Sequence, residues 1–222
     1  MMEQKRFVHI EKTWKIEELT TVTENGGRWY NSPIGNLPSV TTVTGWEKSE
    51  FFKRWRKDNP EESKRVLSRG NLLHKTIENY INNEDIDLND MSINDAKLFL
   101  NVKPLIDNID NVYELEVALW SESTMLAGRA DCIGEYNGKL SVIDFKGSTR
   151  PKRKEDILNY FMQASAYSIA WQERTGIPIN NIVILISCDG GRVQEFEDTP
   201  IRYAKALLSV IEGYHEHVGV TL

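Results

Sequence analysis

The chain has 222 residues, of which 27% are charged and 40% hydrophobic, and its formal net charge at pH 7 is −6. This length suits one well-buried domain, and the composition is that of a soluble globular protein. The negative charge argues against a protein that coats nucleic acid with its whole surface, and no apolar run approaches the roughly 18 residues that span a bilayer.

The N-terminal segment and the cysteines bear on location. Residues 1–14 have neither the continuous apolar core of a signal peptide nor the Arg- and Ser-rich character of a transit peptide. Cys132 and Cys188 each lie in an apolar segment, where a small thiol packs well and stays reduced in a cytosol. The ligand count excludes a zinc site. We therefore expect a cytoplasmic protein that does not enter membranes.

Residues 1–45 are predicted to form a small β extension of short strands and turns. Residues 7–14 alternate in character, and Gly26-Gly27 marks a turn. The run from Leu37 to Thr41, LPSVT, is predicted to be a strand, or a strand that leads into a helix.

The segment from Glu47 to Lys57 is predicted to be a helix that ends at Asn59-Pro60. Aromatic residues are interleaved with its cations, as in a channel for a single strand, where phosphates meet cations and bases stack on rings. An amphipathic helix with a solvated basic face is the alternative, and the pattern leaves both open. The aromatic residues are Trp46, Phe51, Phe52 and Trp55, and the first basic cluster consists of Lys53, Arg54, Arg56 and Lys57.

Helical periodicity continues over Gly70 to Ile81 and points His74 inward. Taken alone, an inward histidine is more often a satisfied core residue than a ligand. The acidic segment 82–95 is predicted to be a mobile loop. A helix over 96–109 then leads into the sheet.

The segment from Gly128 to Lys146 contains two apolar strands joined by Asn137-Gly138, the strongest short signal for a two-residue hairpin. This turn sets a register in which paired residue numbers sum to 275, so Asp131 falls opposite Asp144. The pleat returns Lys146 to the same face. Directly opposed carboxylates destabilise a strand pair unless a positive group lies between them.

Two carboxylates and an ammonium on an apolar hairpin are the groups that a divalent-metal site for phosphodiester hydrolysis requires. Hard oxygen ligands suit Mg²⁺ or Mn²⁺. The ion would polarise the phosphate and lower the pKa of a bound water, while Lys146 would position or deprotonate that water. A surface hairpin with scattered acids is the alternative, but it does not explain why both acids lie in register inside apolar strands.

A third acid precedes this hairpin. Residues 113–120 alternate as a strand does, and Glu116 lies fifteen positions before Asp131. If Ser123-Thr124 is the turn, Glu116 pairs opposite Asp131 and three acids line up across three strands. The alternative is a glutamate that faces solvent.

The C-terminal third continues the alternation of helices and strands. The second basic cluster directly follows Lys146 and consists of Arg150, Lys152, Arg153 and Lys154. The elements predicted after it are a helix over 155–174 that ends at Gly176, a buried strand over 182–188, a shorter strand over 192–196 and a last helix from Thr199-Pro200 to about residue 217.

Five short patterns occur along the chain in the order in which one known family has them. They are Gly70-x-x-x-His74, Glu116, Gly128-x-x-Asp131, Val142-Ile143-Asp144-Phe145-Lys146 and Gln163-x-x-x-Tyr167. In these patterns the chain resembles the PD-(D/E)XK nucleases of the RecB type, over roughly residues 28 to 215. The run from Glu116 through Lys146, with LPSVT upstream, is most similar to the mitochondrial genome maintenance exonucleases and their phage-encoded relatives.

The resemblance implies a role for each matched residue. Asp131 and Asp144 would hold the metal, with the Phe145 carbonyl as a third ligand, and His74 and Glu116 would complete the shell.

The resemblance also implies that Gln163 and Tyr167 contact the DNA backbone or support the site. Many relatives have Thr after the lysine. Because Gly147 stands there in this chain, a hydroxyl contact to phosphate must come from Ser148 or be absent.

We expect an α/β, restriction-endonuclease-like fold, with a mixed sheet of four or five strands flanked by helices. One domain, 1–222, would comprise the β extension, a helical arch over 46–110 and a catalytic core over 111–222. The expected function is a metal-dependent DNA exonuclease that acts as a monomer on a free end of single-stranded DNA. The alternatives are an endonuclease of the same fold and a non-catalytic nucleic-acid-binding protein. The expected DNA contacts are Gln163, Tyr167, Lys53, Arg54, Arg56, Arg150, Lys152 and Arg153.

Overall fold

A mixed β-sheet flanked by helices forms the centre of the computed structural model, which describes residues 5–24 and 26–219. The strands are β1 (Val8–His9), β2 (Thr20–Glu24), β3 (Gly27–Ser32), β4 (Gly35–Pro38), β5 (Ile109–Ser121), β6 (Leu126–Tyr136), β7 (Lys139–Ser148), β8 (Asn181–Cys188) and β9 (Val193–Asp198). The main sheet has the order β1-β5-β6-β7-β8-β9. Residues 1–4, 25 and 220–222 of the predicted domain lie outside the described residues.

The helices pack on both faces of this sheet. They are α1 (Val40–Thr44), α2 (Ser49–Asp58), α3 (Pro60–Ile81), α4 (Ile93–Ile106), α5 (Leu158–Thr175) and α6 (Ala204–Val218). One core contains residues of α1, α5 and α6, and the other contains residues of α3 and α4. The predicted fold class is therefore confirmed. The main sheet has six strands where four or five were expected, because a strand as short as β1 gives no periodic signal.

Both predicted hairpin registers are present. The β6–β7 pairs run from Tyr136–Lys139 to Cys132–Ile143, and each pair sums to 275. The β5–β6 pairs from Ser121–Leu126 to Leu115–Cys132 sum to 247, the register that places Glu116 opposite Asp131. The conditional turn at residues 123–124 is thus confirmed.

The sheet forks at the acids. β6 remains paired with β5 as far as Leu126, and β7 remains paired with β8 as far as Ser148. The pairs between β6 and β7, however, end at Cys132–Ile143. The two central strands therefore separate on the side that carries Asp131 and Asp144.

The N-terminal region departs in part from the prediction. β2, β3 and β4 form a separate three-stranded antiparallel sheet, as a β extension would. β1, in contrast, pairs in parallel with β5 and belongs to the main sheet. The LPSVT run is a strand that leads into a helix, because Ser39 caps α1 by accepting a hydrogen bond from the Thr42 amide.

The acidic segment after α3 is shorter than predicted, since α4 begins at Ile93. Its first part is anchored, because Asn83 exchanges hydrogen bonds with both backbone groups of Phe7. Ile86 and Leu88 pack against the second core. β5, the first strand of the region predicted as the core, starts at Ile109. None of the helices within residues 5–24 and 26–219 combines the length and apolar character of a membrane span.

Candidate active site

The fork between β6 and β7 frees backbone groups that would otherwise bond across the hairpin. Asp131 uses one of them, because its Oδ2 accepts the backbone N–H of Phe145 at 2.8 Å. Asp144 lies at the matching position on β7 and is 1% exposed. The end of the pairing between β6 and β7 thus creates the space in which polar groups of both strands meet.

Three of the predicted residues converge here. His74, Glu116 and Asp131 each offer a ligand atom, and these atoms lie within 4.8 Å of one another. His74 Nδ1 is 3.5 Å from Asp131 Oδ1. The three side chains come from α3, β5 and β6, so the cluster depends on the packing of α3 against the sheet. The position of His74 at the acids therefore agrees with the prediction from the resemblance.

Glu116 is held in an unusual backbone conformation. Its φ is 48°, in the left-handed region, although the residues on either side pair regularly with β6. Such a conformation costs a side-chain-bearing residue on the order of 1 kcal/mol and tends to occur at functional sites. Burial and the neighbouring Asp131 raise the pKa of Glu116 to about 7. No hydrogen bond to its carboxylate is found among the described residues.

Asp144 has an incomplete set of partners. Lys146 Nζ lies 2.6 Å from both of its carboxylate oxygens, but only the contact with Oδ1 has the direction of a hydrogen bond. Gln163 Nε2 also donates to Oδ1, at 3.2 Å. Within residues 5–24 and 26–219, the buried Oδ2 has no hydrogen-bond donor. The Lys146 ammonium neutralises the charge of this oxygen but leaves it without a directed hydrogen bond, so it can still accept a further ligand.

The electrostatics of the two opposed acids differ. Burial raises the pKa of Asp144, and the charge of Asp131 adds to this effect, although Lys146 opposes it. Burial acts on Asp131 as well, but the attraction of His74 and then of Lys146 outweighs it, so the pKa of Asp131 is lowered. Asp131 in turn raises the pKa of His74 against the effect of burial. The site thus pairs Asp131 with His74 and Asp144 with Lys146.

Gln163 and Tyr167 support the site from α5. Tyr167 is 2% exposed and packs directly on Gly128, where an added Cβ would lie 2.8 Å from its ring. Gln163 is 7% exposed and bonds Asp144. Burial of both residues does not fit the prediction that they contact DNA. It agrees with the other role that the resemblance implied, which is support of the site.

A groove opens beside the site, between α2 and the segment that links β7 to α5. Its volume is about 620 Å³. We call it the basic groove, and its main lining residues are Lys48, Phe52, Arg150, Lys152, Arg153 and Tyr160. Four cations and two aromatic rings face one cavity, while Asp156 is the acid in its wall. This lining can meet both phosphates and bases of a nucleic-acid strand.

The predicted DNA-binding cations are not equivalent. Arg150 and Lys152 line the basic groove, whereas Arg153 is held by Asp156 through two hydrogen bonds of 2.9 Å. Lys53 pairs with Glu50 at 2.6 Å. Such pairing lowers the charge that the second and first basic clusters present to an anion.

Arg54 and Arg56 are exposed on α2 but are not among the residues that line the groove. No residue of α2 is buried, so this helix offers its aromatic and basic side chains to solvent. Phe51 and Phe52 are 64% and 45% exposed. The two interpretations of this helix, a strand channel and a solvated basic face, therefore both remain open.

Two further predictions concern β7. The Ser148 hydroxyl donates to the Arg150 carbonyl at 2.7 Å and is buried, so it is committed to the loop. A hydroxyl contact to phosphate from Ser148, one of the two predicted cases, therefore does not fit the structure. The Phe145 amide donates to Asp131, and the role of its carbonyl as a metal ligand stays a prediction.

Tyr160 is a residue that the sequence reasoning missed. Lys146 Nζ lies 5.1 Å from the centre of its ring, within the range of a cation–π contact. The available signal was spacing, because Tyr160 precedes Gln163 by one helical turn and therefore lies on the same face of α5.

A larger cavity of about 830 Å³ lies elsewhere, between α3, α4 and the turn after β8. Its wall contains Arg69 and Asp189, which pair at 2.7 Å. None of the acids, His74 or Lys146 lines it, so it is separate from the acid cluster.

The family model of the PD-(D/E)XK nuclease superfamily matches residues 107–206, the segment that contains the acids, Lys146, Gln163 and Tyr167. Over this segment the chain is similar to the PD-(D/E)XK nuclease superfamily. The resemblance inferred from the short patterns is thereby confirmed, and His74 lies outside the matched segment.

The chain is also similar to curated proteins. Mitochondrial genome maintenance exonuclease 1 of Mus musculus is 28% identical over 130 residues, which is 53% of this chain and 38% of that protein. The Homo sapiens protein of the same name is 28% identical over 130 residues, 52% of this chain and 38% of its own length. The match thus spans about two fifths of these relatives. Among solved structures, the crystal structure of SSO0001 has a TM-score of 0.43 at 18% identity, over 78% of this chain and 72% of that one.

Proposed function

We propose that this chain is a metal-dependent nuclease that hydrolyses phosphodiester bonds at the fork between β6 and β7. The observation that carries the proposal is the convergence of His74, Glu116 and Asp131 within 4.8 Å, beside the Asp144–Lys146 pair. Buried structural acids usually have hydrogen-bond donors, whereas among the described residues Asp144 Oδ2 has only its ion contact with Lys146. The superfamily match supports the same chemistry.

The donor set fits a divalent cation. Asp131, Asp144 and Glu116 provide carboxylate oxygens, His74 provides an imidazole nitrogen, and the buried Asp144 Oδ2 lacks a donor among the described residues. Oxygen-rich sites of this kind suit Mg²⁺ or Mn²⁺. A bound ion supplies Lewis acidity towards the phosphate and makes a water more acidic. We further propose the Phe145 carbonyl as an additional ligand.

Lys146 is proposed to act on the reacting groups and not on the ion. Its ammonium is fixed by Asp144 at 2.6 Å and by the ring of Tyr160, and its side chain is 19% exposed. A cation held in this way can orient a water and offset the negative charge that develops on the phosphate oxygens. Because it needs no rearrangement during the reaction, its contribution is larger than that of a mobile surface lysine.

We propose single-stranded DNA as the substrate and a free end as the point of attack. The basic groove supports a strand, since its cations match phosphates and its rings match unpaired bases. The relatives' name, exonuclease, supports attack from an end. That residues 46–110 form an arch through which the end passes, that the protein acts as a monomer and that it is cytoplasmic stay predictions.

Two rival functions make different predictions. An endonuclease of the same fold would cut circular DNA as fast as linear DNA. A non-catalytic nucleic-acid-binding protein would bind strands without cutting them. The second rival leaves unexplained why Lys146 and all the acids are retained at one site.

The test is cleavage of one sequence in three forms: linear single-stranded, circular single-stranded and linear duplex. Each form carries an internal label, so circles remain visible, and is incubated with Mg²⁺, Mn²⁺ or EDTA. Lys146→Ala is the variant, and Lys139→Ala is the matched control, because Lys139 lies on the same strand but pairs with Glu197 at the exposed end.

The expected result is degradation of the linear single strand with either ion, resistance of the circle and no reaction in EDTA. The Lys139 variant should behave like the wild type. Equal cutting of circle and line would contradict attack from an end. Absence of cutting with every ion, in protein that binds the strand, would favour the non-catalytic rival.

A further inference from the structure

Tyr160 occupies the boundary between the basic groove and Lys146. Its side chain is half-buried and lines the groove, and its ring centre is 5.1 Å from Lys146 Nζ. It lies one turn before Gln163, which bonds Asp144. Among the described residues, the Tyr160 hydroxyl makes no hydrogen bond. One side chain thus contacts the catalytic lysine and also faces the space proposed for the strand.

The chemistry of the groove points to the kind of ligand that would meet this ring. Lys48, Arg150 and Lys152 can pair with the phosphates of a strand, while the apolar part of the lining offers a surface to its bases. That part consists mainly of Phe52 and Tyr160. Of these two rings, Tyr160 is the one in contact with Lys146, so it would meet the nucleotide nearest to the acids.

We propose that Tyr160 stacks on the base of the nucleotide that enters the acid cluster, while its ring also holds the Lys146 ammonium in position. The ligand is a single unpaired nucleobase, since a base inside a duplex has no exposed face to stack. Tyr160 would therefore contribute to selection of single strands as well as to the placement of the lysine. This inference rests on the proposed function, because it takes nucleic acid as the ligand.

Stacking on one aromatic ring is tolerant of base identity, because every base has a π face. The groove should therefore accept all four bases at this position but not an abasic sugar. Loss of one such contact weakens binding by about 5- to 150-fold. Loss of the cation–π contact should act separately, by lowering kcat through a less ordered Lys146.

The experiment pairs a change in the protein with a change in the strand. Fluorescently labelled oligonucleotides carry one abasic site, moved one nucleotide at a time along the strand, and their affinity is measured in EDTA and low salt so that no cleavage occurs. The proteins are the wild type, Tyr160→Phe, Tyr160→Leu and Tyr160→Gln. Leu158→Ala is the matched control, since Leu158 is exposed on the same helix and outside the groove lining. Melting curves establish that each variant is folded.

In the wild type, one position of the abasic site should weaken binding by about 5- to 150-fold. This loss should persist in Tyr160→Phe and in the Leu158 variant, and it should disappear in Tyr160→Leu and Tyr160→Gln. With metal present, kcat should fall in the last two variants and remain near the wild-type value in Tyr160→Phe.

An abasic profile in Tyr160→Leu and Tyr160→Gln that matches the wild-type profile would overturn the inference, as would a wild-type profile without any sensitive position. Failure of the wild type to bind any oligonucleotide would contradict the proposed substrate itself. The two failures are therefore distinguishable. If only melting temperatures change, Tyr160 has a structural role and the inference is wrong.

Discussion

Replacement of Glu116 by Gln should make the metal-free protein more stable at neutral pH. The carboxyl group has a folded-state pKa of about 7, against an ordinary value of 4.5, because of burial and the charge of Asp131. The folded state therefore binds more protons than the unfolded state between these two values. Since the unfolding free energy falls with pH wherever the folded state binds more protons, stability should decline as pH rises through this window.

The magnitude follows from the shift. A rise from 4.5 to about 7 corresponds to at most about 3 kcal/mol at pH values above both pKa values. Glu116 is only half-buried, so solvent screening reduces this to about 1–2 kcal/mol. The glutamine side chain of the variant would carry no charge at any pH. The advantage of the variant over the wild type should be absent near pH 4 and reach that value near pH 8.

Urea unfolding in EDTA at pH 4, 6 and 8 measures this difference. Glu114→Gln is the matched control two residues away, because the Glu114 carboxylate accepts hydrogen bonds from Lys12 and Trp14 and should lose stability on substitution. Saturating Mn²⁺ should reverse the sign for Glu116, since it stabilises the wild type more than the variant.

A difference between wild type and Glu116→Gln that does not change with pH would refute the reasoning. So would a variant that is less stable than the wild type at pH 8 in EDTA. Either result would mean that favourable contacts, and not Asp131 and burial, dominate the environment of this carboxylate.

Three other predictions follow from the same contacts. Asp131→Asn should lower the melting temperature in EDTA by a few degrees, because it weakens the contacts with His74 and the Phe145 amide. Asp144→Asn should raise or preserve the melting temperature. A rise for both variants would contradict the pairing described here. Gly128→Ala should lower the free energy of unfolding by about 1–3 kcal/mol, because the added Cβ would lie 2.8 Å from the Tyr167 ring. Urea unfolding should show a smaller loss when Tyr167 is already replaced by Leu. Equal losses with and without Tyr167→Leu would argue against this contact. Arg150→Ala and Lys152→Ala should weaken strand binding and flatten its salt dependence more than Arg153→Ala does, because Arg153 is already paired with Asp156. If affinity depends on salt concentration equally in all three variants, the basic groove does not bind the strand.

The register of the β6–β7 hairpin could be predicted because its tight turn was recognisable and side chains alternate in strands, whereas the β5–β6 register depended on a conditional turn at Ser123-Thr124. Asn137 and Gly138 have positive φ values of 49° and 75°, as the predicted turn requires. From this turn alone, Asp131 and Asp144 are assigned matching positions and Lys146 the same face. Turn chemistry and strand period are local properties, so they can be predicted from the sequence without knowledge of tertiary contacts.

The fork, by contrast, could not be predicted from the sequence. A register rule assumes that pairing continues, whereas β6 and β7 separate one residue beyond Cys132 and Ile143 because each continues with its other neighbour. The left-handed conformation of Glu116 has no sequence signal, since glutamate does not favour it. The two-residue strand β1 is likewise too short for periodicity.

Burial on α5 was the other feature beyond sequence reasoning. Gln163, Tyr167 and Tyr160 lie on a helix in which buried and exposed positions depend on its contacts with the sheet and with α6. Packing against Gly128 removes Tyr167 from solvent, whereas Tyr160, one turn earlier than Gln163, remains accessible from the groove.

The central claim is that the acids and Lys146 together hydrolyse phosphodiester bonds. Its most direct measurement is the rate at which purified protein releases nucleotides from a linear single-stranded oligonucleotide in Mn²⁺, compared with Lys146→Ala from a parallel preparation. We predict metal-dependent release by the wild type, a loss of at least about 100-fold in the variant and undiminished Mn²⁺ binding by it. Equal rates in the two proteins, or no release with any divalent ion, would contradict the account.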